Sequence, residues 1–206
     1  MTTIEDAIAA CPLVAILRGV KPEEVVAIGE ELYSKGFRCI EVPLNSPDPY
    51  KSIKMLTDAI PADCITGAGT VLTVEHVKLV REAGGRIIVS PNFNADVVRE
   101  TVKSGMISLP GVATPTEAFA AIEAGANWLK VFPASTYGSD HIKAMKSVLP
   151  TNARIVVTGG VSAETIQDWR KAGVDGYGIG GELYRKGDTV DAVSQKAEAL
   201  RAATGM

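Results

Sequence analysis

The feature that most constrains the fold is a repeated punctuation. Short apolar runs alternate with helix-like segments, and those segments end on glycine at Ser34-Lys35-Gly36, Ala83-Gly84, Ser104-Gly105, Ala124-Gly125 and Ala172-Gly173. Glycine in this place terminates a helix and returns the chain to a strand. The intervening runs are Pro12–Leu17, Phe37–Val42, Cys64–Ala68, Arg86–Ser90, Met106–Leu109, Asn127–Pro133, Arg154–Thr158 and Val174–Ile179. They are nearly continuous in apolar character, as expected of parallel strands covered on both faces. About eight βα units without a break predict a single-domain (β/α)8 TIM barrel over residues 1–206, preceded by a short N-terminal helix. A doubly wound open sheet is the alternative. It calls for a glycine-rich turn after the first strand, and Arg18-Gly19-Val20 is not one.

Helix starts carry matching signals. Pro22 with Glu23 and Glu24 suits a positive helix end. Ser46-Pro47 reads as N-cap and first residue of the next helix, and Thr73 as another cap. Thr114-Pro115-Thr116-Glu117 forms a capping box with proline at the first helical position. Further helices are expected over Gly138–Val148, Ser162–Ala172 and Thr189–Ala203.

A net charge of −3 gives no basic surface for nucleic acid, and no apolar stretch is long enough for a membrane span. Met1–Ala10 carries Glu5 and Asp6 and lacks an export pattern. Cys11, Cys39 and Cys64 are widely spaced and read as reduced core thiols, which places the protein in the cytoplasm. No metal site is expected, because His76 and His141 fall in separate helical segments and no His/Asp/Glu cluster marks the strand ends.

In a barrel of this kind chemistry collects at the strand C-termini. Those ends are Arg18, Glu41, Thr70, Pro91-Asn92, Pro110-Gly111, Lys130, Thr158-Gly159-Gly160 and Gly180-Gly181. Strand alternation puts Trp128, Lys130 and Phe132 on one face. An ammonium there loses hydration, its pKa falls, and a neutral amine attacks carbonyls to form a Schiff base. The alternative is a strand-end lysine that reaches solvent or pairs with a carboxylate. Glu41 faces inward, as a salt-bridge partner of Lys130 or Arg18, as a general acid/base, or as both. Arg18 offers a fork for a carboxylate or serves as a rim cation. Thr70 offers a hydroxyl or is a turn residue. The two glycine pairs follow the seventh and eighth strands, where backbone N–H groups commonly cradle a phosphate. Without a metal, the electron sink for carbon–carbon chemistry beside a carbonyl would be an iminium on Lys130. A phosphosugar isomerase or epimerase, and a catalytically silent phosphosugar-binding barrel, are rival readings of the same ends.

The motifs Ile16–Gly19 (ILRG), Glu41–Pro47 (EVPLNSP), Gly67–Thr70 (GAGT), Ser90–Asn92 (SPN), Pro110–Glu117 (PGVATPTE), Leu129–Pro133 (LKVFP) and Thr158–Gly160 (TGG) together resemble the class I 2-keto-3-deoxy-6-phospho-sugar-acid aldolases. The resemblance spans nearly the whole chain. It implies cleavage of 2-dehydro-3-deoxy-6-phosphogalactonate, or of its gluconate epimer, to pyruvate and D-glyceraldehyde 3-phosphate. It also implies no cofactor, a homotrimer, and no partner beyond a small phosphorylated keto acid. On that resemblance Lys130 forms the Schiff base and Glu41 moves protons. Arg18 and Thr70 hold the carboxylate region, Pro91 joins the binding set, and Gly159, Gly160, Gly180 and Gly181 take the phosphate. ILRG and the Leu44–Pro47 segment are most similar to the galactonate-type branch. Thr158, beside the substrate C4 hydroxyl in the family, is similar to the gluconate type.

Overall fold

The computed structural model describes residues 2–205. Its strands are β1 (Leu13–Ile16), β2 (Cys39–Pro43), β3 (Ile65–Gly69), β4 (Ile87–Val89), β5 (Ile107–Leu109), β6 (Gly111–Val112), β7 (Trp128–Val131), β8 (Arg154–Thr158) and β9 (Gly176–Ile179). All their pairings are parallel, in the order β5-β4-β3-β2-β1-β9-β8-β7-β6.

The two ends of that order are one strand divided by Pro110. Proline has no N–H to give to a ladder, so the strand breaks there. Its carbonyl still accepts from the Lys130 N–H at 2.8 Å, while the Ser90 N–H reaches the Leu109 carbonyl at 3.2 Å. β5 thus pairs with β4 and β6 with β7, which joins eight strand positions in a ring. The chain is an α/β barrel of the TIM type, and the open-sheet alternative is excluded.

Helices α1 (Ile4–Ala10), α2 (Pro22–Ser34), α3 (Pro49–Ala59), α4 (Val74–Glu82), α5 (Ala95–Lys103), α6 (Pro115–Glu123), α7 (Ala134–Val148), α8 (Ile166–Lys171) and α9 (Val190–Thr204) complete the described residues. None is long and apolar enough to cross a membrane. The five helix-end glycines have φ between 71° and 108°, a left-handed conformation costly for any residue with a Cβ. The capping boxes of α1 and α6 are both formed.

Alternation along the strands builds two apolar layers. Outward residues such as Leu13, Ala15, Ile40, Val42, Leu129, Val131, Ile155 and Val157 pack under the helices. Inward Val14, Cys39, Ile65, Ile87, Trp128 and Val156 meet Ile4, Ala7 and Ile8 of α1, which closes the N-terminal end of the barrel. The three cysteines are free and buried.

Most strands differ from expectation by one or two residues at an end, and the strand expected to stop at Leu109 resumes at Gly111; four further boundaries differ for a visible reason. α3 begins at Pro49 with Asp48 as N-cap, not at Ser46-Pro47. The Ser46 hydroxyl accepts instead from the Gly19 N–H at 2.9 Å, a tertiary bond that takes it away from capping. α7 begins at Ala134, and Gly138, the expected start, is a non-helical interruption inside it. The Ser162 N–H turns back onto Thr165 Oγ1, so α8 starts only at Ile166. β9 is shorter than Val174–Ile179, because Asp175 is occupied with the neighbouring strand: its carboxylate accepts from the Ile155 N–H at 2.8 Å.

Candidate active site

Glu41 and Lys130 both face into the barrel and are almost wholly enclosed, at 1% and 5% exposure. The register sets Glu41 beside Ile16 and Gly67, and Lys130 beside Gly111 and Val156. Burial pushes the Glu41 carboxyl up to about 7, although Lys130 and Arg18 pull against the rise. Burial likewise lowers the Lys130 pKa, opposed by Glu41 and assisted by Arg18. Each group is therefore moved toward neutrality. Glu41 Oε2 has no hydrogen-bond partner among the described residues. A buried carboxylate oxygen left unpaired is costly.

Glycines make the room for these side chains. A Cβ on Gly69 would lie 2.1 Å from Glu41 Oε2. A Cβ on Gly178 would lie 2.2 Å from Thr158 Oγ1. On Gly111, beside Lys130, it would lie 2.3 Å from the Pro91 carbonyl. Above Lys130, the Phe132 ring sits with its centroid 4.9 Å from Nζ.

A cavity of ≈ 250 Å³ opens at the same end. Its wall brings together Arg18, Thr158, Gly159, Gly160, Gly180 and Gly181, all expected from the sequence, with Ile16, Phe132, Val161, Gly178 and Glu182. The N–H groups of Gly160, Val161, Gly181 and Glu182 donate to no other group among the described residues. They are free to meet an anion. Thr70 and Pro91 do not line this cavity. Thr70 follows β3 with φ of 57°, an uncommon conformation for a β-branched residue, and Pro91 follows β4.

Gly178 and Asn45 were not read as site residues. The first carries a signal in the sequence: Gly176, Gly178 and Gly180 repeat with period two, which strips side chains from one strand face. Asn45 lies in the EVPLNSP motif, but its contact with Arg18 spans 27 residues and no local pattern announces it.

The chain is similar to known proteins over most of its length. The family model for KDPG and KHG aldolase matches residues 4–196. The chain is 47% identical, over 93% of its length and 91% of the relative's, to a Rhizobium meliloti (strain 1021) protein named Probable 2-dehydro-3-deoxy-6-phosphogalactonate aldolase. It is 45% identical, over 92% of each chain, to the 2-dehydro-3-deoxy-6-phosphogalactonate aldolase of Escherichia coli (strain K12). Identity to the 2-dehydro-3-deoxy-phosphogluconate aldolase of Treponema pallidum (strain Nichols) is 31%, over 82% of this chain and 80% of that one. A solved structure of native KDPGal shares a TM-score of 0.93 and 44% identity over 94% of each chain. A KDPG aldolase from Legionella pneumophila, holding pyruvate captured at low pH as a covalent carbinolamine, shares 0.87 and 26% over 98% of each. A family model matched over nearly the whole length, together with relatives at 45% and 47% identity, means that the chain belongs to the KDPG and KHG aldolase family.

Proposed function

We propose that this chain, acting as one barrel domain, is a Schiff-base lyase that splits 2-dehydro-3-deoxy-6-phosphogalactonate into pyruvate and D-glyceraldehyde 3-phosphate. The observation that carries the reading is that Lys130 and Glu41 are both enclosed on the inward face of the barrel, with burial lowering the pKa of the amine and raising that of the carboxyl to about 7. The relatives at 45% and 47% identity support the galactonate-type substrate.

In this reading the Lys130 amine adds to the C2 ketone, and water leaves to give an iminium. Glu41 supplies the proton that carries that water off, then takes the C4 hydroxyl proton as the C3–C4 bond breaks. The bonding pair passes into the iminium and forms an enamine, while the aldehyde departs. Protonation at C3 and hydrolysis release pyruvate and restore the amine. A group with a pKa of about 7 serves as both acid and base near neutral pH, which suits two successive roles. The unpartnered Oε2 is the atom available to a substrate hydroxyl or a water. Arg18 and Thr70 hold the carboxylate end, with Pro91 beside them. Gly159, Gly160, Gly180 and Gly181 offer backbone N–H groups to the phosphate.

A second reading is favoured by Thr158, whose hydroxyl lines the cavity against Gly178. There it would meet the C4 hydroxyl of the gluconate epimer, giving that specificity or a dual one. The proposal includes assembly as a homotrimer, which the resemblance of the motifs implies, and a cytoplasmic setting, which the three free, buried cysteines fit.

Treatment with pyruvate and borohydride, then peptide mapping, tests the covalent step. A reduced pyruvyl adduct on Lys130 is the expected result. Turnover without any adduct would return the site to isomerase or epimerase chemistry, and phosphate-dependent thermal stabilisation without turnover would mark a silent binding barrel. Pyruvate release measured side by side on the two epimers then ranks the substrates.

A further inference from the structure

Arg18 reaches the cavity from an exposed position at the end of β1, where a long flexible side chain has many rotamers to lose on binding. It is not left free. Its Nη1 donates to Asn45 Oδ1 at 2.7 Å. The next N–H along the chain, that of Gly19, donates to Ser46 Oγ at 2.9 Å, and Ser46 is buried at 8% exposure. Asn45 and Ser46 are themselves held. The Ser46 N–H closes a turn onto the Pro43 carbonyl at 2.9 Å, and the Leu44 N–H bonds to the Gly69 carbonyl at 2.8 Å. This turn is the direct continuation of β2, the strand that carries Glu41, and Gly69 is the residue against which the Glu41 carboxylate lies.

We infer that Asn45 is a positioning residue, and that it holds the Arg18 guanidinium at the cavity mouth in the orientation that receives the carboxylate of a keto acid bound at Lys130. The inference rests on the functional reading above and deepens it. Asn45 accepts one guanidinium N–H and leaves others for the ligand, so the fork faces the site before a ligand arrives. The entropy of fixing a long cation is thereby met in the free protein. The segment that carries the base, Glu41–Ser46, also fixes the cation, so acid and guanidinium move as one unit. Arg18 is one of the charges felt by both Glu41 and Lys130, which gives its placement a second consequence.

The test uses the full chain, with pyruvate and borohydride as the probe. The quantities read are the pyruvate concentration for half-maximal adduct on Lys130 and the plateau at saturation. Asn45→Ala is expected to raise the half-saturating concentration about tenfold and to leave the plateau within twofold. Arg18→Ala is expected to do at least as much. The double variant should be no worse than Arg18→Ala alone, because the asparagine acts only through the arginine. Multiplication of the two effects in the double variant would overturn the inference, as would an unchanged half-saturation in Asn45→Ala. A lowered plateau with unaltered half-saturation would also overturn it, since that is the mark of a general structural loss. No adduct in the unmodified chain would instead overturn the Schiff-base reading, and the inference with it.

Discussion

The floor and the mouth of the barrel interior are built from the same strands, two residues apart, and they are chemically opposite. At the floor, Val14, Cys39, Ile65, Ile87, Trp128 and Val156 form an apolar plug with α1. At the mouth, the next inward positions include Glu41, Lys130 and Thr158, and Gly69 and Gly178 hold open space for Glu41 and Thr158. At the floor the Trp128 indole Nε1–H is satisfied by donation to Glu5 Oε1 at 2.8 Å. The mouth leaves Glu41 Oε2 unpartnered. One step of the strand repeat therefore separates a region whose polar group is satisfied from one that holds an unpartnered buried carboxylate oxygen. Substitutions at the mouth should alter turnover and spare stability, and substitutions at the floor should do the reverse.

The largest expected effect lies at the mouth. Lys130→Met removes the amine and keeps a flexible apolar side chain in its place. Pyruvate release and the borohydride adduct should both vanish, and the melting temperature should hold or rise, because a partly desolvated amine is gone. A fall in melting temperature with residual turnover would show that Lys130 belongs to the structure more than to the reaction.

Glu41→Gln comes next. General acid–base catalysis is worth roughly 10²–10⁴-fold, and kcat should fall within that span. Stability supplies an independent readout. The folded-state pKa of Glu41 is raised to about 7 from 4.5. Between those pH values the folded state keeps a proton that the unfolded state has released, so stability declines as pH rises through the window and levels off above it. The variant should lose that decline. Melting curves of both proteins from pH 4.5 to 8 measure it, and parallel slopes would contradict the assignment.

The contrast between the two ends also explains what could be read in advance. Strand alternation needs only the order of residues, so the inward placement of Glu41 and Lys130 follows from their own neighbours, whereas Pro110 reads as the end of a strand that in fact resumes at Gly111. The helix-end glycines follow from a local backbone requirement. Ser46 was misread because its hydroxyl answers to Gly19, 27 residues away, and no local pattern announces such a bond. Asn45 was missed for the same reason. Gly69 looks like any strand-end glycine until Glu41 is seen to lie against it. What the sequence hides at this site is long-range polar pairing; its periodic content is open to view.

At the floor, Trp128→Ala should cost about 3–5 kcal/mol, the usual range for emptying an aromatic position in a core. Chemical denaturation measures it. The trapping reaction, run well below the transition, should still give the Lys130 adduct.

The smallest effect is the sharpest probe of whether floor and mouth are separate. Glu5 is an exposed residue of α1 whose carboxylate is the only partner of the Trp128 indole N–H among the described residues. Glu5→Ala should remove about 1 kcal/mol, the ordinary net worth of one hydrogen bond. In a chain of this length that lowers the melting temperature by roughly 2–4 °C. Trp128 lies on the inward face of β7, and Lys130 is the next residue on that face. Were the grip of α1 on the indole to set the height of the amine, kcat would drop together with stability. The backbone of β7 argues otherwise. Lys130 is anchored on its own account, through its N–H to the Pro110 carbonyl and through its pairing with β8. An unchanged kcat at a lowered melting temperature is therefore the expected outcome, and a parallel loss of both would show that the plug helps to aim the amine.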